Sequence, residues 1–451
     1  VIFGTDGVRD IGGKGLLSPD SVDRLGQAIA GHMRRNGTAG GRVLIARDTR
    51  TSGPGIEKLL TNALRREGCS TIHAGVLPTP AVSLLVPDGV ADLGLVISAS
   101  HNPPEFNGIK ILDGSGSKLD ISQEEAISRD HGRHVGQPNA SLEIEMEEGL
   151  GDRYLEKLMA SFPPGEFLQG LSVVLDCARG AACHWGPEAF QRAGAEVTVV
   201  HGEPDGERIN VGCGSLHPEV LGEEVKRIGA AVGIALDGDA DRALFCDESG
   251  THVDGDDVIV IWARAMLEEG LLDPPIVALT VMSNVGVEEY LNRHGVSVVR
   301  TAVGDRAVAA ALKESGGMLG GEPSGHIICP AEAATGDGIR TALAVARRVV
   351  QSGRPLSNLY SGIERFPQEQ KTLKIQERPP LAQLSLLSAT MDQAQQALGS
   401  EGRILVRYSG TEPLLRILVE ARSQSDAELW IERLERSAQA EEALGVIPAS
   451  A

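Results

Sequence analysis

The sequence predicts an α/β protein: three similar α/β domains with mixed, mainly parallel sheets, then a smaller C-terminal α+β domain. Three observations carry that expectation. Short continuous apolar runs alternate with helical patterns through most of the chain, as in sheets covered on both faces. Three times an apolar run passes into a polar loop rich in small residues: LVISASHN (95–102), VGIALDGDAD (232–241) and GGMLGGEPSG (316–325). The tail instead reads as an antiparallel hairpin, RILVRY (403–408) and LLRILVE (414–420), before a helix from about Ser425.

In chain order, Ser18-Pro19 is expected to cap a helix with Val22, Leu25, Ile29 and Met33 on one face, stopped at Gly37. VLIA (43–46) is the next strand, and its loop enters a helix near Ile56. The rhythm returns at SVVLD (172–176) and PIVALTV (275–281). Seams near Leu150, Gly255 and Phe366 give domains 1–150, 151–255, 256–365 and 366–451, with Glu377-Arg-Pro-Pro380 placed in the last connection. Each of the first three domains delivers one loop from the carboxyl end of a strand, where such sheets place their ligands.

Charge excludes some partners. The 42 Lys and Arg against 62 Asp and Glu leave a net −20, which argues against non-specific binding to nucleic acid or an anionic membrane. An anionic substrate would need positive groups concentrated in one cleft. The six cysteines contain no CxxC pair, and Cys183-His184 has no second ligand pair at zinc spacing, so buried reduced thiols are expected. With no secretory pattern in VIFGTDGVRD and no bilayer-length apolar run, a cytoplasmic protein is expected.

In DGDADR (237–242), alternate aspartates on an extended loop aim three carboxylates at one centre, which suits a hard divalent ion. Counted from Asp237 the pattern imitates an EF-hand as far as Glu248, but Arg242 stands where that turn needs glycine, and the flanks VGIAL and ALFC read as strands. RYSGTEP (407–413) offers Ser409, Gly410 and Thr411 around a tight turn, with Arg407 and Arg416 beside it: an anion nest with two guanidinium groups, or a plain hairpin turn. GEPSGH (321–326) supplies a carboxylate, a hydroxyl and an imidazole able to bond sugar hydroxyls, and alone reads equally well as an ordinary loop. Ser100, in ISASHNPPEFNGIK (97–110), lacks a nucleophile-elbow motif, and sequence neighbours such as His101 often point apart. A hydrolase triad is therefore disfavoured, whereas a phosphoryl-carrying serine beside a carboxylate metal loop makes chemical sense, with Lys110 returning toward the same cleft.

Six stretches, FGTDGVR (3–9), SASHNPPEFNGIK (98–110), DGDADR (237–242), VGDR (303–306), GEPSGH (321–326) and RYSGTEP (407–413), occur in an order and spacing that resemble the α-D-phosphohexomutases along essentially the whole chain. SGTEP and VGDR are most similar to the branch acting on glucosamine phosphate. The resemblance implies four domains around a central cleft and Ser100 as the phosphoserine. It implies one Mg²⁺ held by Asp237, Asp239, Asp241 and the phosphoryl group of Ser100. Glu322 and Ser324 would bind sugar hydroxyls, while Arg407, Ser409, Gly410, Thr411 and Arg416 would hold the non-reacting phosphate. Arg9, Lys110 and His326 would line the reacting end, and Arg242, Gly304 and Asp305 would complete the substrate site. The implied partner is a sugar phosphate, exchanged through a hexosamine 1,6-bisphosphate, with a homodimer compatible.

Two positions depart from the family pattern. Ala240 stands at a common glycine of the metal loop, and Pro323 stands where a polar or flexible residue is usual. The alternatives are the phosphomannomutase/phosphoglucomutase branch, a metal-dependent sugar phosphatase, and a non-catalytic sugar-phosphate-binding protein. The phosphatase would release phosphate to water, and the binding protein would have no need of Ser100 beside three metal carboxylates.

Overall fold

The apolar runs at 43–46, 93–97, 173–176, 232–236 and 277–280 form strands buried at every residue, and the computed structural model describes residues 2–4, 6–139, 141, 143–409 and 413–447. The first sheet holds β1 (Val8–Ile11), β2 (Arg42–Arg47), β3 (Ser70–Val76), β4 (Leu93–Ile97) and β5 (Phe106–Leu112), in the order β1-β5-β4-β2-β3. The second holds β6 (Ser172–Asp176), β7 (Glu196–Val200), β8 (Val232–Leu236), β9 (Ala243–Cys246) and β10 (His252–Val253), in the order β10-β9-β8-β6-β7. The third holds β11 (Ile276–Thr280), β12 (Ser297–Thr301), β13 (Leu319–Gly321) and β14 (Ile327–Ile328), in the order β12-β11-β13-β14.

One four-strand pattern recurs in all three. Two parallel pairings (β2 with β3 and β4, β6 with β7 and β8, β11 with β12 and β13) are followed by an antiparallel return at β4/β5, β8/β9 and β13/β14. Ser100, Asp237–Asp241 and Glu322–Ser324 therefore sit on topologically equivalent loops, each between the third strand of the pattern and its return. The recurrence noticed in the sequence is this loop.

The helix Pro19–Arg35 buries Val22, Leu25, Ile29 and Met33 as the periodicity predicts, ending just before Gly37 at φ +80°. Its start differs from the expectation: Ser18 stands at the N-cap, but its hydroxyl donates to Gly15 O at 2.7 Å rather than accepting from the first turn. Pro19 already removes one of the amide donors that a cap would satisfy.

The described residues form two units: 1–280 with 297–361, and 281–296 with 362–451. In the second unit, β15 (Gln368–Lys374), β16 (Gly402–Tyr408) and β17 (Leu414–Ala421) make an antiparallel sheet ordered β15-β17-β16, packed with the helices Ser385–Leu398 and Gln424–Ala440 around Leu415, Ile417, Trp430 and Leu434. The expected hairpin is thus two strands of three. Residues 377–380 follow β15 inside this unit, not between domains as the sequence reading placed them. The helix Val285–Arg293 also belongs here, tied by Asn284 Nδ2 donating to Phe366 O at 2.9 Å and Val285 N–H donating to Glu420 Oε1 at 3.2 Å. No helix of the described residues is long and apolar enough to cross a membrane.

Candidate active site

Strand β4 is buried at every residue, and Ser98, Ala99 and Ser100 continue that burial into the loop. Ser100 turns the chain with φ +53°, a left-handed conformation costing an L-residue about 1–2 kcal/mol. Its hydroxyl donates to Asp237 Oδ2 at 2.6 Å. Contrary to the sequence argument about neighbours, Ser100 Oγ also lies 3.2 Å from His101 Nδ1. Burial, then Arg242 and Arg9, push His101 down to about 4, so this imidazole is a weak base and the shorter bond to Asp237 dominates.

Asp237, Asp239 and Asp241 are buried, and one oxygen from each lies within 4.8 Å of the others. Asp239 Oδ1 and Asp241 Oδ1 accept no hydrogen bond among the described residues. A buried carboxylate oxygen without a hydrogen bond is unfavourable. Although Asp241 Oδ1 has His326 Nδ1 at 3.5 Å and Arg242 Nε at 3.8 Å as charged neighbours, both oxygens fit a hard cation with oxygen ligands. The triad could hold a metal ion. Burial, then Asp241 and Asp239, push Asp237 well above the usual carboxylate range. Burial works the same way on Asp241, but Lys110 and His326 outweigh it and hold that carboxyl well below the range.

Lys110, on β5, is the positive centre of the first unit. Its Nζ reaches Asp239 Oδ2 at 2.7 Å, Asp241 Oδ2 at 2.9 Å and Asp6 Oδ2 at 3.1 Å. Burial works to lower its pKa, yet the three carboxylates carry it well above the ordinary lysine value. These three contacts favour the ammonium form of Lys110. Thr79 Oγ1 completes Asp239 Oδ2 at 2.5 Å.

His326 stands 3.5 Å from Asp241 Oδ1 through Nδ1 and 3.6 Å from Asp305 Oδ2 through Nε2. Burial opposes its imidazolium form, Asp241 and Asp305 favour it, and the balance is upward. The Gly336 N–H donating to Nε2 at 3.2 Å acts in the opposite sense, favouring the neutral ring. Lys118 then pairs with Asp305 and Asp6, and Arg9 pairs with Asp6. Asp6, Lys110, Asp241, His326, Asp305 and Lys118 thus close a ring in which acidic and basic side chains alternate.

On the third loop, Glu322 Oε1 accepts the Gly304 N–H at 3.0 Å, and Ser324 Oγ donates to Oε2 at 3.4 Å. Gly304 has φ +117°, which favours glycine and aims its amide at the carboxylate. Pro323 spends its carbonyl on Gly255 N–H at 3.0 Å. Ala240 adopts φ +57° and is fully buried, so the departure in the metal loop does store backbone strain. Arg242 donates its backbone N–H to Asp237 Oδ1 at 3.2 Å, while its buried Nε has no hydrogen-bond partner among the described residues.

Arg407 and Arg416 are direct partners across β16 and β17 of the second unit. Burial, then Arg416, lower the Arg407 pKa. Like charges set opposite one another on a sheet are unfavourable, and an anion between them removes the penalty. Ser409 is buried and its N–H donates to Leu414 O at 2.9 Å; Gly410 and Thr411 lie outside the described residues.

The first unit brings together Ser100, Lys110, Arg9, His326, Asp237, Asp239, Asp241, Arg242 and Asp305, and joins Gly304 to Glu322 and Ser324. Sequence reasoning missed Asp6, although it lies within FGTDGVR, and missed Lys118, Thr79, Arg50 and Asn210, which carry no local signal. Among the described residues a second group, Asp176, His201 and Cys213, also has metal-ligand spacing. Asp176 is already satisfied by Ala178 N–H at 2.8 Å, Gly214 N–H at 2.9 Å and His201 Nδ1 at 3.0 Å, and burial pushes the Cys213 thiol up to about 11. All six cysteines are buried and free, as expected.

A buried serine against a carboxylate triad, on a thrice-repeated α/β pattern with a smaller fourth domain, defines a phosphohexomutase. The chain belongs to the phosphoglucomutase/phosphomannomutase family: that family's alpha/beta/alpha domain I matches residues 1–133, domain II 151–250, domain III 254–366 and the C-terminal domain 365–437. It is 42% identical over 446 residues to the phosphoglucosamine mutase of Moorella thermoacetica, covering 97% of this chain and 99% of that one. It is 43% identical over 447 residues to the phosphoglucosamine mutase of Kocuria rhizophila, covering 96% and 97%. A solved phosphoglucomutase/phosphomannomutase family protein from Burkholderia thailandensis shares the fold, with a TM-score of 0.81, 24% identity and coverage of 99% and 98%.

Proposed function

We propose that the chain interconverts glucosamine 6-phosphate and glucosamine 1-phosphate through phosphorylated Ser100 and a 1,6-bisphosphate intermediate. The observation that carries this reading is the buried Ser100 hydroxyl 2.6 Å from Asp237, within a triad of carboxylates two of which keep an unbonded oxygen. The names of relatives at 42% and 43% identity support the choice of amino sugar.

In the first half-reaction the bond between phosphorus and Ser100 Oγ breaks as a bond forms to the oxygen of the free sugar hydroxyl. The proton that hydroxyl gives up is, in net balance, the one Ser100 Oγ gains on leaving as a hydroxyl, and the second half-reaction reverses the exchange. The bisphosphate then turns around, and Ser100 takes back the other phosphoryl group. One Mg²⁺ per chain, held by Asp237, Asp239, Asp241 and the phosphoryl group on Ser100, would neutralise the phosphoryl oxygens. Lys110 in its ammonium form, Arg9 and Arg242 stabilise charge at the reacting end. Glu322 and Ser324 accept and donate to central sugar hydroxyls. Gly304 orients Glu322 by its amide, and Asp305 orients His326, so both serve the substrate through a neighbour. Arg407 and Arg416, with Ser409, Gly410 and Thr411, grip the non-reacting phosphate in either sugar orientation. The hexosamine 1,6-bisphosphate would also serve as activator by charging Ser100. The expected setting is cytoplasmic synthesis of amino-sugar precursors of the cell wall.

The test compares kcat/KM for glucosamine, glucose and mannose phosphates, with Mg²⁺ and a trace of the matching 1,6-bisphosphate, while free phosphate is followed. Preference for glucosamine without phosphate release is the expected result. Preference for glucose or mannose would move the chain to the other branch, and steady phosphate release would overturn the mutase reading.

A further inference from the structure

We propose that Arg50 and Asn210 are positioning residues for the phosphoryl-carrying serine, holding the Ser100 and Asn102 carbonyls so that Ser100 keeps its left-handed turn and its hydroxyl stays aimed at Asp237. This rests on the reading of Ser100 as the phosphoryl carrier.

A serine with φ +53° persists only where its surroundings over-determine it. Arg50 supplies much of that constraint. It is fully buried, and its five guanidinium N–H groups meet five acceptors: Asp48 Oδ2, and the carbonyls of Ser100, Asn102, Pro103 and Phe106. Four of the five are backbone atoms of the serine loop or its exit into β5. The same hub fixes the other side of the peptide. Asp48 Oδ2 accepts from Ser98 Oγ at 2.7 Å, and Ser98 Oγ accepts the Ser100 N–H at 2.9 Å. The planar fork makes this arrangement specific to arginine, because a lysine presents a point charge with three donors.

Asn210 reaches the same two carbonyls from the second domain. Its Nδ2 donates to Ser100 O at 2.9 Å and to Asn102 O at 3.1 Å. It is itself left-handed at φ +62°, and its N–H bonds the carbonyl of Ala178, another left-handed residue, at 3.1 Å. The domain II loop lies directly on the turn carrying Arg50: a Cβ added to Gly206 would meet Thr51 N at 2.7 Å and the Arg50 carbonyl carbon at 2.9 Å. The metal loop closes over the remaining side, since a Cβ on Gly238 would lie 2.6 Å from Ser100 O. Six non-glycine residues among those described have positive φ: Ser100, Asn210 and Ala240 on these meeting loops, and Ala178, Arg179 and His201 on the loops that follow β6 and β7. Backbone strain is concentrated where the serine is aimed.

The test separates the side-chain donors of Asn210 from its backbone shape. Asn210→Gly accepts the left-handed φ without strain but has no donors. Both Asn210→Gly and Asn210→Ala are expected to lower kcat by on the order of tenfold or more, since small misplacements of reacting groups have large effects. KM for glucosamine 6-phosphate should stay within about twofold of wild type, because neither residue is placed on the sugar. The same variants should slow phosphoryl transfer from glucosamine 1,6-bisphosphate to dephosphorylated Ser100, followed by intact-protein mass, without changing the final stoichiometry. Arg50→Lys should lower kcat further. Wild-type kcat and phosphorylation rate in Asn210→Gly would overturn the role of Asn210. The same result in a folded Arg50→Lys would overturn that of Arg50; if Arg50→Lys does not fold, the Asn210→Gly arm decides. Failure of the phosphoserine reading shows itself separately, as a wild-type chain that turns over sugar yet never gains a phosphoryl group on Ser100.

Discussion

Two regions of the chain gather charges of opposite sign. Around Ser100, three buried aspartates face one lysine, and two carboxylate oxygens find no hydrogen bond among the described residues. On β16 and β17 two positive side chains are set across from one another, Arg407 opposite Arg416. Under the proposed function the difference has a meaning: the first region suits a cation beside a phosphoryl group, and the second suits an anion that stays unreacted.

The largest effect is expected at the serine. Ser100→Ala removes the only atom able to carry the phosphoryl group in this reading, so turnover should fall by on the order of 10⁴ or more. Calorimetric binding of glucosamine 6-phosphate should persist, because the sugar and distal phosphate contacts lie elsewhere. Turnover surviving the substitution would place the chemistry on another group.

Next comes the cation side. Chelation should stop turnover and added Mg²⁺ restore it. Asp239→Asn keeps the shape but removes the charge that Lys110 meets and that a bound cation would share, so it should raise the Mg²⁺ concentration for half-maximal activity. Loss of supporting residues alone changes metal affinity about 10–100-fold, and a ligand should matter at least as much. An unchanged Mg²⁺ dependence would dissolve the contrast between the two regions.

The anion side gives a pair of opposite signs. Arg407→Leu removes charge-assisted bonds worth about 1.5–3 kcal/mol, so KM for sugar phosphate should rise roughly 10–100-fold with a smaller change in kcat. Without ligand, the same substitution removes a cross-strand repulsion and should stabilise the protein by about 0.2–1 kcal/mol in denaturant titration. A loss of stability would mean the two arginines are not in conflict.

The sequence made the loops legible and left their supports hidden, for a physical reason. DGDADR declares itself because three carboxylates lie within five residues. They converge through a turn, with Ala240 left-handed and its N–H donating to Asp237 O at 3.0 Å, and not along the extended loop expected from the sequence. The three-sheet repeat shows because each copy ends in the same strand-to-loop transition. Lys118 reaches Asp305 across 187 positions and Asn210 reaches Ser100 across 110, so no local pattern marks either. Asp6 was within reach: a carboxylate inside FGTDGVR had to face something positive, and it faces Lys110 at 3.1 Å. Ser18 shows the converse, a correct cap position whose hydroxyl bonds elsewhere.

The smallest effect belongs to Ala240, buried at φ +57° in the loop that carries the aspartates. Glycine there would relieve about 1–2 kcal/mol of left-handed strain. Against this stand the greater entropy that glycine loses on folding, about 0.5–1 kcal/mol, and the buried methyl group, about 0.8 kcal/mol. These terms nearly cancel, so Ala240→Gly should move stability by less than about 1 kcal/mol in denaturant titration. If the methyl group does no more than fill space, kcat and the Mg²⁺ dependence should also stay at wild-type values. A shift in Mg²⁺ dependence at unchanged stability would show that the strained alanine, by fixing the turn between Asp239 and Asp241, sets how the cation side of the site is aimed.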